Sequence, residues 1–161
     1  MSTRNIEHLY RAHGADLISY LRRGFGRWAA PEDLLHETFV QALRNQDRLT
    51  QAASPRAWLF GIARHVGLTA ARKHRHADSL TDLPQHRDER RPQIEAMLDA
   101  IASLPEVLRE TMELRLREQL SYEEIAQVMQ IPVGTVRSRL HTAMKKLREI
   151  LEAKNQSERE P

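Results

Sequence analysis

The sequence predicts an all-α chain: two small helical domains joined by a flexible linker, the second domain carrying a helix-turn-helix. Three observations carry that prediction. Apolar residues recur at three and four positions along most of the 161 residues, no segment alternates like a strand, and a polar stretch from Asp78 to Pro92 interrupts the pattern. That stretch holds two prolines, charges of both signs and only Leu80 and Leu83 as apolar residues, the composition of a linker.

The first helix is expected from about Asn5 to Arg23, with a stripe of Ile6, Leu9, Tyr10, His13, Leu17, Ile18 and Leu21, and with Gly24 and Gly26 stopping it. Pro31 then opens a second helix at its first turn, where a missing N–H costs nothing, and Glu32 and Asp33 sit near the positive end of the helix dipole. Its predicted inner stripe is Leu35, Phe39, Ala42 and Leu43. A polar stretch from Asn45 to Ala53 follows. Ser54-Pro55 reads as N-cap and first residue of a third helix, with Trp58, Leu59, Ile62, Ala63 and Val66 facing inward and a basic run, Arg72-Lys73-His74-Arg75-His76, at its end. On this pattern Trp58 belongs to the core.

Beyond the linker, Ile94, Met97, Leu98 and Ile101 restart the helical period, and Pro105 begins a further helix carrying Leu108, Met112 and Leu116. Ser121-Tyr122-Glu123-Glu124 is a capping box, in which the serine hydroxyl accepts from the Glu124 amide and the Glu124 carboxylate accepts from the Ser121 amide. Ile125, Val128 and Met129 form the inner face of the short helix it starts, and Ala126 is small enough to let another helix cross closely. After the turn Gln130-Ile131-Pro132, a longer helix has Val136, Leu140, Ala143, Met144 and Leu147 inside. Arg137, Ser138, His141 and Lys145 share its outer face, the arrangement of a helix laid in a major groove, where arginine can pair bidentately with guanine. The domain boundaries on this reading are 1–77, a linker over 78–93, 94–152, and a polar tail over 153–161.

Charge is segregated along the chain. The net charge of +3 comes from 25 Lys+Arg against 22 Asp+Glu, but residues 1–77 hold 12 basic and 6 acidic side chains while 94–161 hold 10 and 12. Inside that acidic half, Val133 to Arg148 carries Arg137, Arg139, Lys145, Lys146 and Arg148 and no acid, a footprint suited to phosphate. Taken alone, such a run also describes a solvated helix face.

Several function classes are excluded or disfavoured. With no cysteine there is no disulfide, no Cys-ligated zinc and no thiol nucleophile. The eight histidines are scattered, and His36-Glu37 lacks a second histidine four residues on, so no metal site and no cofactor are expected. Glu32, Asp33 and Glu37 have no nucleophile, phosphate loop or oxyanion site beside them in the sequence to make an acid-base centre. The longest apolar run, Ala57 to Ala63, is seven residues against the ~20 that span a bilayer. Arg4, Glu7 and His8 interrupt the amino terminus before a secretory core could form, so a cytoplasmic location is expected without direct membrane insertion.

Three motifs in order then resemble one family. Leu104-Pro105, Leu120-Ser-Tyr-Glu-Glu-Ile-Ala126 and Ile131-Pro-Val-Gly-Thr-Val-Arg-Ser-Arg-Leu140 resemble the promoter-reading sigma-4 domain of extracytoplasmic-function (ECF) sigma factors. Pro31-Glu-Asp-Leu-Leu-His-Glu-Thr-Phe39 is similar to that family's polymerase-binding helix, and Pro55-Arg-Ala-Trp-Leu-Phe-Gly-Ile-Ala-Arg64 to its promoter-melting helix in the sigma-2 domain. The resemblance spans roughly residues 5 to 152. It implies a non-enzymatic transcription initiation factor whose partners are core RNA polymerase, promoter DNA and an anti-sigma factor.

Carried residue by residue, the resemblance makes Asp33, His36 and Glu37 polymerase contacts. It brings Trp58, Arg64, His65, Arg72, Lys73 and Arg75, with the loop before Ser54, to the minus-10 element. It assigns minus-35 bases to Arg137, Ser138 and His141 and phosphate to Arg115 and Thr135; Lys145, on the same outer face, is expected to meet phosphate as a point charge. The sequence departs from the family pattern at His36, where glutamine is common, at His65 and Thr69, where asparagine and aspartate are usual, and at His141. Two rival readings differ in what residues 1–77 do: a stand-alone helix-turn-helix regulator, which needs no polymerase-binding helix, and a nucleic-acid-processing enzyme, which turns over substrate by itself.

Overall fold

The computed structural model of the chain describes residues 2–74 and 91–160, so Arg75, His76 and the linker expected from Asp78 up to residue 90 lie outside the described residues. Every element among the described residues is helical: α1 Ser2–Phe25, α2 Pro31–Arg44, a 3₁₀ turn Gln46–Gln51, α3 Pro55–His74, α4 Pro92–Ala102, α5 Glu106–Leu116, α6 Tyr122–Met129 and α7 Val133–Arg159. They divide into two compact units, one built on α1, α2 and α3, the other on α4, α5, α7 and the start of α6. The all-α expectation holds in both.

In the amino-terminal unit each helix packs against the other two. α2 opens at Pro31, and α3 starts where the Ala57 amide donates to the Ser54 hydroxyl at 3.1 Å, as the cap-and-proline pattern requires. Leu17, Leu21, Leu59 and Phe60 are completely buried, and the Tyr20 ring meets Phe60 edge-on at 5.3 Å. Burying the Phe60 side chain contributes about 1.5–3 kcal/mol. Arg56 ties α3 to α1, with its guanidinium 3.5 Å from Asp16 and 5.0 Å over the Phe60 ring.

Three local expectations need correction. α1 does not stop at Gly24 but continues to Phe25, whose buried ring lies against Gly67, so close that an added Cβ there would come within 2.3 Å of it. The apolar contact of Phe25 outweighs the modest cost of a glycine near a helix end. Leu43, expected inside, is exposed, whereas Thr38 is fully buried because its hydroxyl donates to the Leu34 carbonyl at 2.7 Å and so leaves no orphan donor. Tyr10 is likewise mostly exposed, its ring edge-on to Phe39 at 4.9 Å.

In the carboxy-terminal unit α7 packs on α5 and α4. Val136, Leu140, Ala143 and Leu147 are its buried side, as the period predicts, but Met144 is exposed. On α5 the buried residues are Thr111, Met112 and Leu114, and Leu116 is exposed; the Thr111 hydroxyl, like that of Thr38, donates to the carbonyl one turn back, at 2.7 Å from Val107. Ile94 and Met97 of α4 are also exposed. Part of this surplus is put to use: Met97, Leu116 and Met144 join Leu147, Arg148 and Leu151 around an open apolar groove of about 230 Å³. Residues 153–159, expected as a tail, continue α7 with exposed side chains.

Candidate functional site

The capping box forms as predicted. The Ser121 amide donates to Glu124 Oε1 at 3.0 Å and the Glu124 amide to Ser121 Oγ at 3.1 Å, which fixes where α6 begins. α6 ends at Met129; the next residue, Gln130, is left-handed with a φ of 54°, and the Ile131 amide returns to the Ala126 carbonyl at 3.1 Å. This closing bond is the longer one of a Schellman motif, and it turns the chain within three residues into α7. Pro132 precedes the first turn of α7 and offers no side-chain cap, and that turn holds no acid. The first turn of α7 thus brings no carboxylate of its own to the positive end of the dipole.

Arg137, Ser138, His141 and Lys145 are all exposed. At 100° per residue they occupy an arc of about 100° opposite the buried side, and Arg137 to Lys145 covers about 12 Å of the axis. That length matches the width of a major groove. Thr135 is half-buried beside this arc. Arg115, exposed at the end of α5, also makes contacts within the protein. One guanidinium N–H donates to the Leu120 carbonyl at 2.9 Å, and the group lies 5.0 Å over the Tyr122 ring. No spacing rule in the sequence signals these contacts, because they join a helix end to a turn.

On α2, Asp33, His36 and Glu37 are exposed on an arc of about 100° facing away from Leu35, Thr38, Phe39 and Ala42. Glu37 accepts from the Gln41 amide nitrogen at 3.2 Å, and Glu32 lies 3.9 Å from Arg22. Val40, half-buried, falls in the same arc and was not expected there. A carboxylate-lined face with an apolar residue in it suits a basic protein partner more than a reaction centre.

On α3 the buried side is Ala57, Leu59, Phe60, Ala63, Val66, Gly67 and Ala71. Trp58, His65 and Arg72 repeat every seven residues on the opposite side, so Trp58 is not a core residue as the stripe suggested; it is half-buried. The unbroken run Trp58-Leu59-Phe60 made either side of the helix look apolar. Lys73 and His74 are exposed beside Arg72, and Arg64 is half-buried about a third of a turn away. Arg75 lies outside the described residues. Among those described, no group of three or more His, Asp or Glu could hold a metal, and no helix is long and apolar enough to cross a membrane.

Residues 9–77 match the family model for sigma-70 region 2 and residues 94–147 that for sigma-70 region 4. The chain is 31% identical to the RNA polymerase sigma factor CarQ of Myxococcus xanthus over 153 residues, covering 90% of this chain and 88% of that one. It is 33% identical to the ECF RNA polymerase sigma factor SigL of Mycobacterium tuberculosis over 150 residues, covering 87% and 85%. Among solved structures, CnrH in complex with the cytosolic domain of CnrY matches with a TM-score of 0.63 at 27% identity, over 94% of this chain and 90% of that one. RpoE in complex with the anti-sigma factor NepR from Bartonella quintana shares the fold, with a TM-score of 0.65 at 23% identity over 89% and 96%.

Proposed function

The chain belongs to the ECF branch of the sigma-70 family and directs RNA polymerase to promoters, and from that premise we propose how its residues divide the work. α2 holds core polymerase through Asp33, His36 and Glu37. The outer side of α3, with Trp58, His65, Arg72, Lys73 and, at its edge, Arg64, meets the minus-10 element, and Arg75 extends that basic end. α7 reads the minus-35 element through Arg137, Ser138 and His141, with Thr135 and Lys145 on phosphate. One observation carries the division: an exposed acidic arc and an exposed acid-free arc occupy different compact units of one chain. The first suits a protein, the second DNA.

The chain itself is not an enzyme on this reading, works in the cytoplasm and needs no cofactor. An anti-sigma factor controls it by occupying both units at once, and the apolar groove bounded by Met97, Leu116 and Met144 is suited to an apolar helix of a protein partner. The experiment that separates this from a stand-alone regulator is promoter binding measured with and without core polymerase. Fluorescence anisotropy on a promoter fragment should give weak binding by the chain alone and tight, sequence-dependent binding by the complex. Tight specific binding by the chain alone, unchanged by polymerase, favours the regulator.

A further inference from the structure

The family resemblance gives Arg115 to a DNA phosphate, but its guanidinium is already engaged within the protein. Arg115 sits in the last turn of α5, and five residues separate that helix from α6. The connection is tight. Gln119 is left-handed with φ 55°, a region where a side chain is disfavoured, and the Leu120 amide turns back to the Leu114 carbonyl at 3.2 Å while the Leu120 side chain is fully buried. Arg115 closes the turn from outside, donating to the Leu120 carbonyl at 2.9 Å and covering the ring of Tyr122 at 5.0 Å. Leu120 and Tyr122 flank Ser121, the residue whose capping box sets the first turn of α6. Arg115 thus grips both sides of the cap.

We propose that Arg115 is a positioning residue for minus-35 reading: by clamping the α5–α6 turn it sets the entry of α6 and, through the three-residue turn at 130–132, the first turn of α7, from which Arg137 projects. The role rests on the minus-35 assignment of α7. It needs a planar group that can both donate to a carbonyl and lie on a ring, which arginine supplies and lysine does not. Charge alone does not satisfy it. A phosphate contact has the opposite requirement, since lysine serves phosphate well as a point charge.

The test uses the full chain with core polymerase on a promoter selected from a randomised minus-35 library. Discrimination between that promoter and a scrambled minus-35 sequence is compared, at several salt concentrations, for Arg115→Ala, Arg115→Lys, Tyr122→Leu and Tyr122→Phe, each checked for native helicity and thermal unfolding. Positioning predicts that both Arg115 variants lose about tenfold in discrimination, on the scale of one misplaced base contact, with the salt slope unchanged. Tyr122→Leu should lose in the same direction, and Tyr122→Phe, which keeps the ring, should match the unmodified chain. Full discrimination in Arg115→Lys, together with a salt slope smaller by about one unit in Arg115→Ala, would mark a phosphate contact and overturn the proposal. Full discrimination in Arg115→Ala overturns it as well. If the unmodified complex has no minus-35 preference, the base-reading role of α7 fails and this role with it; the other outcomes leave that role standing.

Discussion

α2 and α7 begin alike and carry opposite fields. Each starts after a residue that makes no side-chain cap, Ala30 or Pro132, and each therefore depends on charge near its first turn. α2 supplies its own, Glu32 and Asp33, so its dipole is neutralised internally and the further carboxylate of Glu37 extends a negative arc outward. α7 has no acid in its first turn and none up to Arg148, so its dipole and its basic side chains act in the same direction. The lesson is that a helix start is legible as a functional surface only with its charges: two starts that both lack a side-chain cap suit a protein partner in one unit and DNA phosphate in the other.

The contrast can be broken most severely at α2. The double variant Asp33→Lys/Glu37→Lys should abolish capture of core polymerase while lowering stability by only about 1 kcal/mol, the helix-dipole cost of a cation at Asp33, because both side chains are exposed. Unchanged pull-down by the folded variant removes α2 from the polymerase interface. At α7, Arg137→Ala should cost about 1–3 kcal/mol on the selected promoter and relax preference at one minus-35 position, whereas Lys145→Ala should weaken all sequences alike and lower the salt slope by about one unit. Equal losses for Arg137→Ala on selected and scrambled sequences contradict base reading.

A smaller effect sharpens the comparison from the other side. Thr135→Asp gives α7 the acidic first turn of α2 and should have opposite signs in two assays, stabilising the helix by about 0.3–1 kcal/mol while weakening DNA binding. Thermal unfolding and anisotropy on the same sample read both. The smallest concerns the α1–α3 seam. Burial, aided by the Arg56 charge and by His8 and opposed by Asp16, holds the His13 imidazole below its ordinary value of 6.5. The unfolded chain therefore takes up its proton first as pH falls, so stability should decline below about pH 6.5 and level off beneath the folded-state value. His13→Gln should flatten that part of the unfolding profile, and an unchanged slope excludes His13 as its source.

The helix starts were legible because each has a local chemical cause: proline at 31, serine ahead of proline at 54, the reciprocal cap at 121. The width of each buried face was not. Periodicity orients a stripe but does not say how much of it a neighbour covers, so Leu43, Leu116 and Met144 were expected inside and are exposed. Thr38 and Thr111 were missed for the converse reason, since back-bonding to the preceding turn hides a hydroxyl that composition counts as polar. Of the candidate site, the arc on α7 followed from spacing, whereas Asp33, His36 and Glu37 on α2 came from the family resemblance. The side of α3 that Trp58 takes did not follow from spacing, and the contacts of Arg115 depend on a turn whose left-handed residue is glutamine rather than the glycine that signals such a turn in sequence.

Transcription reconstituted from purified components tests the central claim most directly, that an acidic arc on α2 and an acid-free arc on α7 serve one initiation complex. Core polymerase and the full chain, on fragments carrying the selected promoter, should yield a transcript of defined start that core polymerase alone does not make. The α2 double variant should lose the transcript on every promoter, and Arg137→Ala should lose it most where the minus-35 sequence matters. A transcript that survives the α2 variant, or none from the unmodified pair while the chain alone grips the same DNA tightly, contradicts the account.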